Sequence, residues 1–109
     1  MIDLKPITQF KTESIHALYD SVGWRSYTDN MDALMKGLEK SLGNMSAWDE
    51  DKLVGLIRYV GDGETIIYIQ DLLVHPEYQR RGIARALMTS VLQDYKHVRQ
   101  IVLTTDNSE

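Results

Sequence analysis

The sequence predicts a mixed α/β fold whose elements follow in the order β-α-α-β-β-β-α-β. Three stretches carry apolar residues at the 3.6-residue spacing of an amphipathic helix, and the other stretches alternate or run continuously apolar, as strands do. Glycine and proline stand at several boundaries between these stretches. A length of 109 residues without repeats or linkers suits one domain, residues 1–109.

A strand and a helix open the chain. Residues 1–7 alternate apolar and polar side chains and predict a short strand. From Lys11 the spacing becomes helical, and Gly23 is a typical C-terminal glycine for that helix. The apolar face of this helix consists of Ile15, Leu18, Tyr19 and Val22.

A second helix follows a polar loop that spans residues 23–30 and carries aromatic side chains. Thr28 or Asp29 can cap this helix, and we expect Gly43 and Asn44 to end it. Its apolar face consists of Met31, Leu34, Met35, Leu38 and Leu42.

Three strands in a meander come next. Residues 44–49 and 53–60 flank a charged turn at 49–52, and the Gly-Asp-Gly sequence of residues 61–63 marks a second turn. Residues 65–74 then run almost continuously apolar. A strand that is apolar on both faces is central in its sheet, so we expect this strand to be central.

The central strand leads into a third helix and a last strand. Pro76 ends the central strand, because proline cannot donate to a ladder of hydrogen bonds. A last strand is predicted over residues 98–105. The helix between them has an apolar stripe of Ile83, Leu87 and Val91.

The composition excludes several classes of function. Without cysteine the chain has no disulfide framework, thiolate nucleophile or cysteine-ligated metal, and its histidines lack metal-like spacing, so we expect no metal. The net charge of −4 argues against a nucleic-acid partner. No signal peptide and no window of roughly 18 apolar residues is visible, so we expect a cytoplasmic protein without a membrane partner.

The turn at residues 79–84 has the features of an anion site. A helix N-terminus offers free N–H groups and a partial charge of roughly half an elementary unit. Gly82 lets a ligand approach the backbone, Ala84 is small, and Arg80 and Arg81 add donors suited to phosphate. The pattern predicts a phosphate or pyrophosphate ligand, and it also fits a surface turn that binds nothing.

Residues 72–84, which read LLVHPEYQRRGIA, resemble the acetyl-CoA-binding segment of the GCN5-related N-acetyltransferases, the GNAT family. The turn of that family follows the pattern Q/R-x-x-G-x-G/A, which residues 79–84 match in place, and the order of elements matches along the chain. The resemblance implies the acyl-CoA N-acyltransferase fold. It also implies acetyl-CoA as cosubstrate and the transfer of an acetyl group to a primary amine of a small molecule or peptide.

The resemblance further implies which residues hold acetyl-CoA. The turn amides would bind the pyrophosphate, the strand before the turn would pair with the pantetheine arm, and Asn107 would touch that arm. The implied cofactor-binding residues are Leu72, Leu73, Val74, Gln79, Arg80, Arg81, Gly82, Ile83, Ala84, Arg85 and Asn107.

The implied chemistry is direct attack of a neutral amine on the thioester, without an acyl-enzyme. A strand N–H near Leu73 would stabilise the oxyanion. Asp71 is the best-placed candidate for the general base, with Tyr68, Gln70 and Asp106 as alternatives.

The acceptor side of the site is expected in the loop between the first two helices. Trp24 and Tyr27 are candidate substrate-binding residues, because aromatic rings attract cationic amines. For Trp24, packing at the edge of the core is the alternative interpretation.

The sequence departs from the family pattern at its C-terminus. Relatives usually continue with a helix and two strands, and that helix carries the tyrosine that protonates the departing thiolate. Because this sequence stops at Glu109, we expect a truncated family member with weak or absent catalysis, or a homodimer in which a second copy covers the last strand. The alternatives in other classes are a non-catalytic coenzyme A-binding module and a nucleotide-phosphate-binding domain.

Overall fold

The structure is a computed structural model that describes residues 1–103. The predicted mixed α/β fold is confirmed, and the main elements follow in the expected order. The strands are β1 (Ile2–Lys5), β2 (Gly43–Asp49), β3 (Lys52–Gly61), β4 (Ile66–Val74) and β5 (Gln100–Leu103). The helices are α1 (Thr12–Ser21), α2 (Arg25–Thr28), α3 (Met31–Lys40) and α4 (Ile83–Asp94), with a 3₁₀ turn at Pro76–Tyr78.

The described strands form one mixed sheet in the order β1-β2-β3-β4-β5. The first four strands pair antiparallel, and β4 pairs parallel with β5. The sequence predicted β4 as a central strand, and β4 indeed lies between β3 and β5.

Helices cover both faces of the sheet, which explains why β3 and β4 are apolar on both sides. The helix α4 packs on one face through the predicted stripe of Ile83, Leu87 and Val91. On the other face, α1 and α3 contribute Ile15, Leu18, Tyr19, Leu34 and Leu38. Within residues 1–103, no helix is long and apolar enough to cross a membrane.

The segment between α1 and α3 differs from the loop predicted over residues 23–30, because it contains the short helix α2. Asn30 caps α3, and its side-chain oxygen accepts a hydrogen bond from the N–H of Ala33 at 3.3 Å. The predicted caps Thr28 and Asp29 were wrong, since both residues belong to the end of α2.

The helix α3 ends at Lys40, so the prediction that Gly43 and Asn44 stop it was wrong. Both residues belong to β2. A Cβ atom on Gly43 would lie 2.5 Å from the hydroxyl oxygen of Tyr59, so glycine is needed there for close packing between strands. The Asn44 side chain accepts from the N–H of Ile7 at 2.8 Å and fastens the segment after β1.

The strand β4 contains a β-bulge at Gln70. Arg58 of β3 pairs with Asp71, and its neighbour Tyr59 pairs with Ile69, so Gln70 has no residue opposite. An extra residue reverses the alternation of side chains. Ile69 therefore packs with the α4 core, whereas Asp71 points to the opposite face and bonds to α1.

The end of β4 has an open edge in the described part of the chain. The strand β5 pairs with residues 66–69 of β4, and no pairing on that side is described for residues 72–74. On its other side, this end of β4 is held by β3, where the N–H of His75 donates to the carbonyl of Val54 at 2.8 Å.

Candidate functional site

A cavity of about 500 Å³ lies between the open edge of β4 and the start of α4. The structure brings together there most of the residues that the sequence predicted for the cofactor, and adds Tyr78 to them. The lining residues are Leu72, Val74, Tyr78, Gln79, Arg80, Gly82, Ile83, Ala84 and Arg85.

The turn before α4 presents backbone N–H groups to this cavity. Arg80 and Gly82 both adopt left-handed conformations, with φ of 66° and 80°. No side chain caps α4, and the first N–H groups of a helix have no partner within the helix. A Cβ atom on Gly82 would meet no atom within 4 Å, so the space beside it is open. This arrangement suits an anion.

The backbone of Leu73 does not face the open edge. Its side chain is 4% exposed and packs with α1 and α3. Because His75 donates its N–H to β3, and alternate residues of a strand point their N–H groups the same way, the N–H of Leu73 also faces β3. Val74 points the other way, since its carbonyl accepts from the side chain of Gln79 at 3.0 Å. The register therefore favours Leu72 and Val74 over Leu73 as donors at the open edge.

Three further cofactor residues predicted from the sequence are Arg81, Gln79 and Asn107. The guanidinium of Arg81 lies 5.0 Å from the ring centre of Tyr78 and donates to the carbonyl of Glu77 at 3.1 Å, and Arg81 is not among the residues that line the cavity. The amide of Gln79 is engaged by β4 and holds the turn against the strand. Asn107 lies outside the described residues.

The predicted general base Asp71 is the acceptor of a buried network. Its side chain accepts hydrogen bonds from the Nε of Arg58 at 2.7 Å and from the hydroxyls of Tyr19 and Tyr27 at 2.8 Å each. Both carboxylate oxygens are thus occupied, and the residue is 3% exposed. This geometry favours a positioning role for Asp71 over proton abstraction.

Burial, assisted by the charge of Asp71, keeps the hydroxyl groups of this network protonated. Burial raises the pKa of Tyr19 well above its ordinary value, and the nearby Asp71 raises it further. Burial also raises the pKa of Tyr27. Burial is the largest single cause and disfavours the charged form of Arg58, but the charge and hydrogen bond of Asp71, together with Tyr19 and Tyr27, outweigh it and raise the pKa of the guanidinium.

A second cavity, of about 360 Å³, lies beside the bulge of β4. Tyr27 lines it, and the side chain of Gln70 approaches the Tyr27 hydroxyl at 3.3 Å. Trp24 does not line this cavity and packs edge to face with Tyr19 at 5.9 Å. Of the two predicted acceptor contacts, the geometry therefore favours Tyr27. The lining residues are Ser26, Tyr27, Asn30, Ala33, Leu34, Arg58, Val60 and Gln70.

Sequence reasoning missed Arg58 and Tyr78 as site residues, and it named Gln70 only as an alternative general base. A signal was present for Arg58, which is the only charge within the apolar stretch of residues 53–60 and therefore needs a buried partner. No local signal marks Gln70 as the bulge. Among residues 1–103, no group of three or more histidine or acidic side chains is arranged to hold a metal ion.

Comparison with known proteins identifies the family. The family model described as "Acetyltransferase (GNAT) family" matches residues 9–109. The chain therefore belongs to the GNAT acetyltransferase family.

Among curated proteins, the chain is 32% identical over 98 residues to an uncharacterized ycf52-like N-acetyltransferase of Prochlorococcus marinus. That match covers 84% of this chain and 53% of the relative, so the chain spans about half the length of that protein.

Solved structures share the fold. A GNAT family acetyltransferase of Streptococcus pneumoniae is 40% identical with a TM-score of 0.85, and the match covers 100% of this chain and 79% of that one. A probable acetyltransferase of Staphylococcus aureus is 25% identical with a TM-score of 0.79, covering 97% and 80%. The aminoglycoside acetyltransferase AAC(6')-Iy, at 16% identity and a TM-score of 0.76, shares the fold over 100% of this chain and 82% of its own.

Proposed function

We propose that this chain is an acetyl-CoA-dependent N-acetyltransferase that passes an acetyl group to a primary amine of a small molecule or peptide. One observation carries the proposal: a single cavity joins the open edge of β4 to the uncapped start of α4. Coenzyme A is an extended ligand with a diphosphate at one end and amides along its arm. It needs an anion site and a strand edge side by side, and membership of the GNAT family supports the same cosubstrate.

The residues around the cavity fit both parts of coenzyme A. The N–H groups of the first turn of α4, together with Arg80 and Arg85, would hold the diphosphate. Gly82 leaves that position free of a side chain. The amides of the arm would pair with the backbone of Leu72 and Val74 at the open edge. Bound acetyl-CoA would supply an activated acetyl group.

The backbone of β4 is proposed to stabilise the charge that develops on the thioester oxygen. The N–H of Leu72 or Val74 faces the open edge and is fixed by the sheet, so no reorganisation is required during the reaction. We place this role on these residues rather than on Leu73, because of the register described above. Asp71 is proposed to hold the strand in position and not to act as the base.

The acceptor amine is proposed to enter from the cavity beside Tyr27. Gln70 lines this cavity and directly precedes Asp71 and the open edge, so an amine bound there would approach the end of the cofactor arm. Asp71 neutralises the charge of Arg58, so the cavity has no unpaired charge from this residue. A cytoplasmic location and a homodimer remain predictions that the sequence suggested.

The test is thermal stability in the presence of acetyl-CoA, compared between the wild type, Gly82→Glu and Gly23→Glu. Gly23 is a matched control, because it also has a left-handed φ of 74° and open space where a Cβ would stand. Both variants carry the same backbone strain and the same added charge. We expect acetyl-CoA to raise the Tm of the wild type and of Gly23→Glu, but not that of Gly82→Glu.

An equal shift in both variants would place the ligand elsewhere. Release of free thiol from acetyl-CoA with a panel of primary amines then tests turnover. Binding without turnover would indicate a coenzyme A-binding module, and a Tm shift with ATP but not with acetyl-CoA would indicate a nucleotide-phosphate-binding domain.

A further inference from the structure

We propose that Tyr78 is a positioning residue that fastens the phosphate-binding turn to the β2–β3 hairpin, an inference that rests on the proposed function. The phosphate-binding turn is defined as residues 79–82, between the 3₁₀ turn and α4. The hairpin contributes Asp49, the last residue of β2, and Lys52, the first residue of β3.

The hydroxyl of Tyr78 forms a hydrogen bond with a residue that is distant in the sequence. It donates to the Oδ2 of Asp49 at 2.6 Å, across 29 residues of sequence. This hydrogen bond raises the pKa of Tyr78, so the hydroxyl stays protonated and remains a donor at neutral pH. The residue immediately before the turn is therefore fixed to the hairpin by a charge-assisted bond.

The ring of Tyr78 makes a second link, because one cation from the hairpin and one cation from the turn lie close to it. The Nζ of Lys52, from the hairpin, lies 5.3 Å from the ring centre and 3.7 Å from the carboxylate of Glu77. The guanidinium of Arg81, from the turn, lies 5.0 Å from the same ring centre. The ring thus engages Arg81, which does not line the cavity, whereas Arg80 does.

The turn needs such support because its backbone is strained. Arg80 is a non-glycine residue with φ of 66°, a conformation that persists only where the surroundings fix it. Tyr78 precedes Arg80 by two residues and lines the same cavity. Loss of its hydroxyl would leave the turn attached to β4 through the side chain of Gln79. The N–H groups that face the anion would then be less well ordered before binding, which weakens affinity.

The experiment measures the Kd of acetyl-CoA by isothermal titration calorimetry for the wild type, Tyr78→Phe and Thr65→Val. The two substitutions are matched, because Thr65→Val also removes a hydroxyl that donates to a carboxylate, that of Asp62 at 2.7 Å, but does so in the β3–β4 turn, which does not line the cavity. Tyr78→Phe keeps the ring and the cation contacts and removes the bond to Asp49 alone. We expect a Kd roughly 5- to 10-fold higher in Tyr78→Phe, and a change of less than about 2-fold in Thr65→Val.

A second variant and a measurement on the free protein distinguish failure of the Tyr78 inference from failure of the proposed function. Asp49→Ala should weaken binding as Tyr78→Phe does, and the double variant should lose no more than either single one, because both remove the same bond. Amide hydrogen exchange of the free protein should be faster across residues 79–85 in Tyr78→Phe, and not in Thr65→Val.

The outcomes are decisive in either direction. Wild-type affinity in Tyr78→Phe overturns the inference even though the proposed function stands. If the wild type does not bind acetyl-CoA, the proposed function fails, and the exchange at residues 79–85 alone decides whether Tyr78 fixes the turn. Unchanged exchange there would also overturn the inference.

Discussion

The Nε of Arg58 donates to the Oδ2 of Asp71 across 2.7 Å, and this ion pair ties β3 to β4 in the interior of the protein. The two side chains are 8% and 2% exposed. We expect Asp71→Asn to lower the free energy of unfolding by about 3–5 kcal/mol, because it leaves the Arg58 charge buried without its counter-charge. Urea denaturation measures this loss.

The control for this ion pair is Asp32→Asn. Asp32 pairs with Lys36 at 3.1 Å on the exposed surface of α3, where such pairs contribute less than about 0.5 kcal/mol. Unchanged stability together with lost turnover in Asp71→Asn would contradict the positioning role and restore Asp71 as the general base.

The buried tyrosines predict instability at alkaline pH. Burial, the largest cause, raises the pKa of Tyr19, Tyr27 and Tyr59 in the folded state. Such a group stabilises the fold fully below its unfolded pKa of about 10, and the contribution is lost as the pH rises toward the folded pKa. We expect the free energy of unfolding to fall between about pH 9 and about pH 11.

Chemical denaturation over this range, with phenolate absorbance as a second probe, tests the alkaline prediction. The phenolate absorbance of the buried tyrosines should appear together with unfolding. The free energy of unfolding of the Tyr19→Phe variant should fall less steeply with pH than that of the wild type. A stability that stays flat over this range, in the wild type, would contradict the assignment.

In the β3–β4 turn, Asp62 is expected to make the protein less stable as the pH falls, in contrast to the tyrosines, which act as the pH rises. The Asp62 carboxylate accepts hydrogen bonds from the Thr65 hydroxyl at 2.7 Å and from the N–H groups of Glu64, Thr65 and Ile66. These bonds lower its pKa, with the Thr65 hydroxyl as the largest cause. A lowered pKa stabilises the fold above the unfolded value of about 3.9 and ceases to do so as the pH falls below it.

We therefore expect Asp62→Ala to have a lower Tm than the wild type at neutral pH, with a difference that shrinks as the pH falls below about 4. Thermal melts at several pH values measure the difference. Thr65→Val removes the hydroxyl and should show part of the effect. A Tm difference that does not depend on pH would show that the charge of Asp62 is not involved.

Two glycines with positive φ separate backbone strain from steric clash. Gly61 has φ of 134°, and a Cβ atom there would lie 2.4 Å from the carbonyl oxygen of Ile66. Gly23 has φ of 74° and open space. We expect Gly61→Ala to cost at least about 2 kcal/mol and Gly23→Ala about 1 kcal/mol, because only the former adds a clash. Equal losses in urea denaturation would contradict this.

The sequence allowed prediction of the parts of the site that depend on local chemistry. The stripe of α4 and the Gly82 turn are contiguous patterns, and each follows from periodicity or from the conformational freedom of glycine. Because the same short stretch forms both the strand end and the helix start, most lining residues of the cavity proposed for coenzyme A could be named in advance.

The parts that could not be predicted depend on register and on distant contacts. The bond between Tyr27 and Asp71 joins residues 44 positions apart, and no local pattern specifies it. The sequence predicted an N–H near Leu73 as the oxyanion donor, whereas the geometry favours Leu72 and Val74, because the direction of a strand N–H is set by pairing with β3. The bulge at Gln70 depends on the same pairing.

That bulge constrains how the chain can change in evolution. Without Gln70, Asp71 would directly follow Ile69, and regular alternation would still place it on the face opposite Ile69, where its partner Tyr19 lies. Deletion of the bulge residue would therefore keep both faces of β4, whereas deletion of a paired residue such as Leu72 would reverse every side chain on one side of it. We expect lineages of this chain to tolerate length changes in the exposed β2–β3 turn and loss of Gln70 itself, but no other single-residue change in the length of β4.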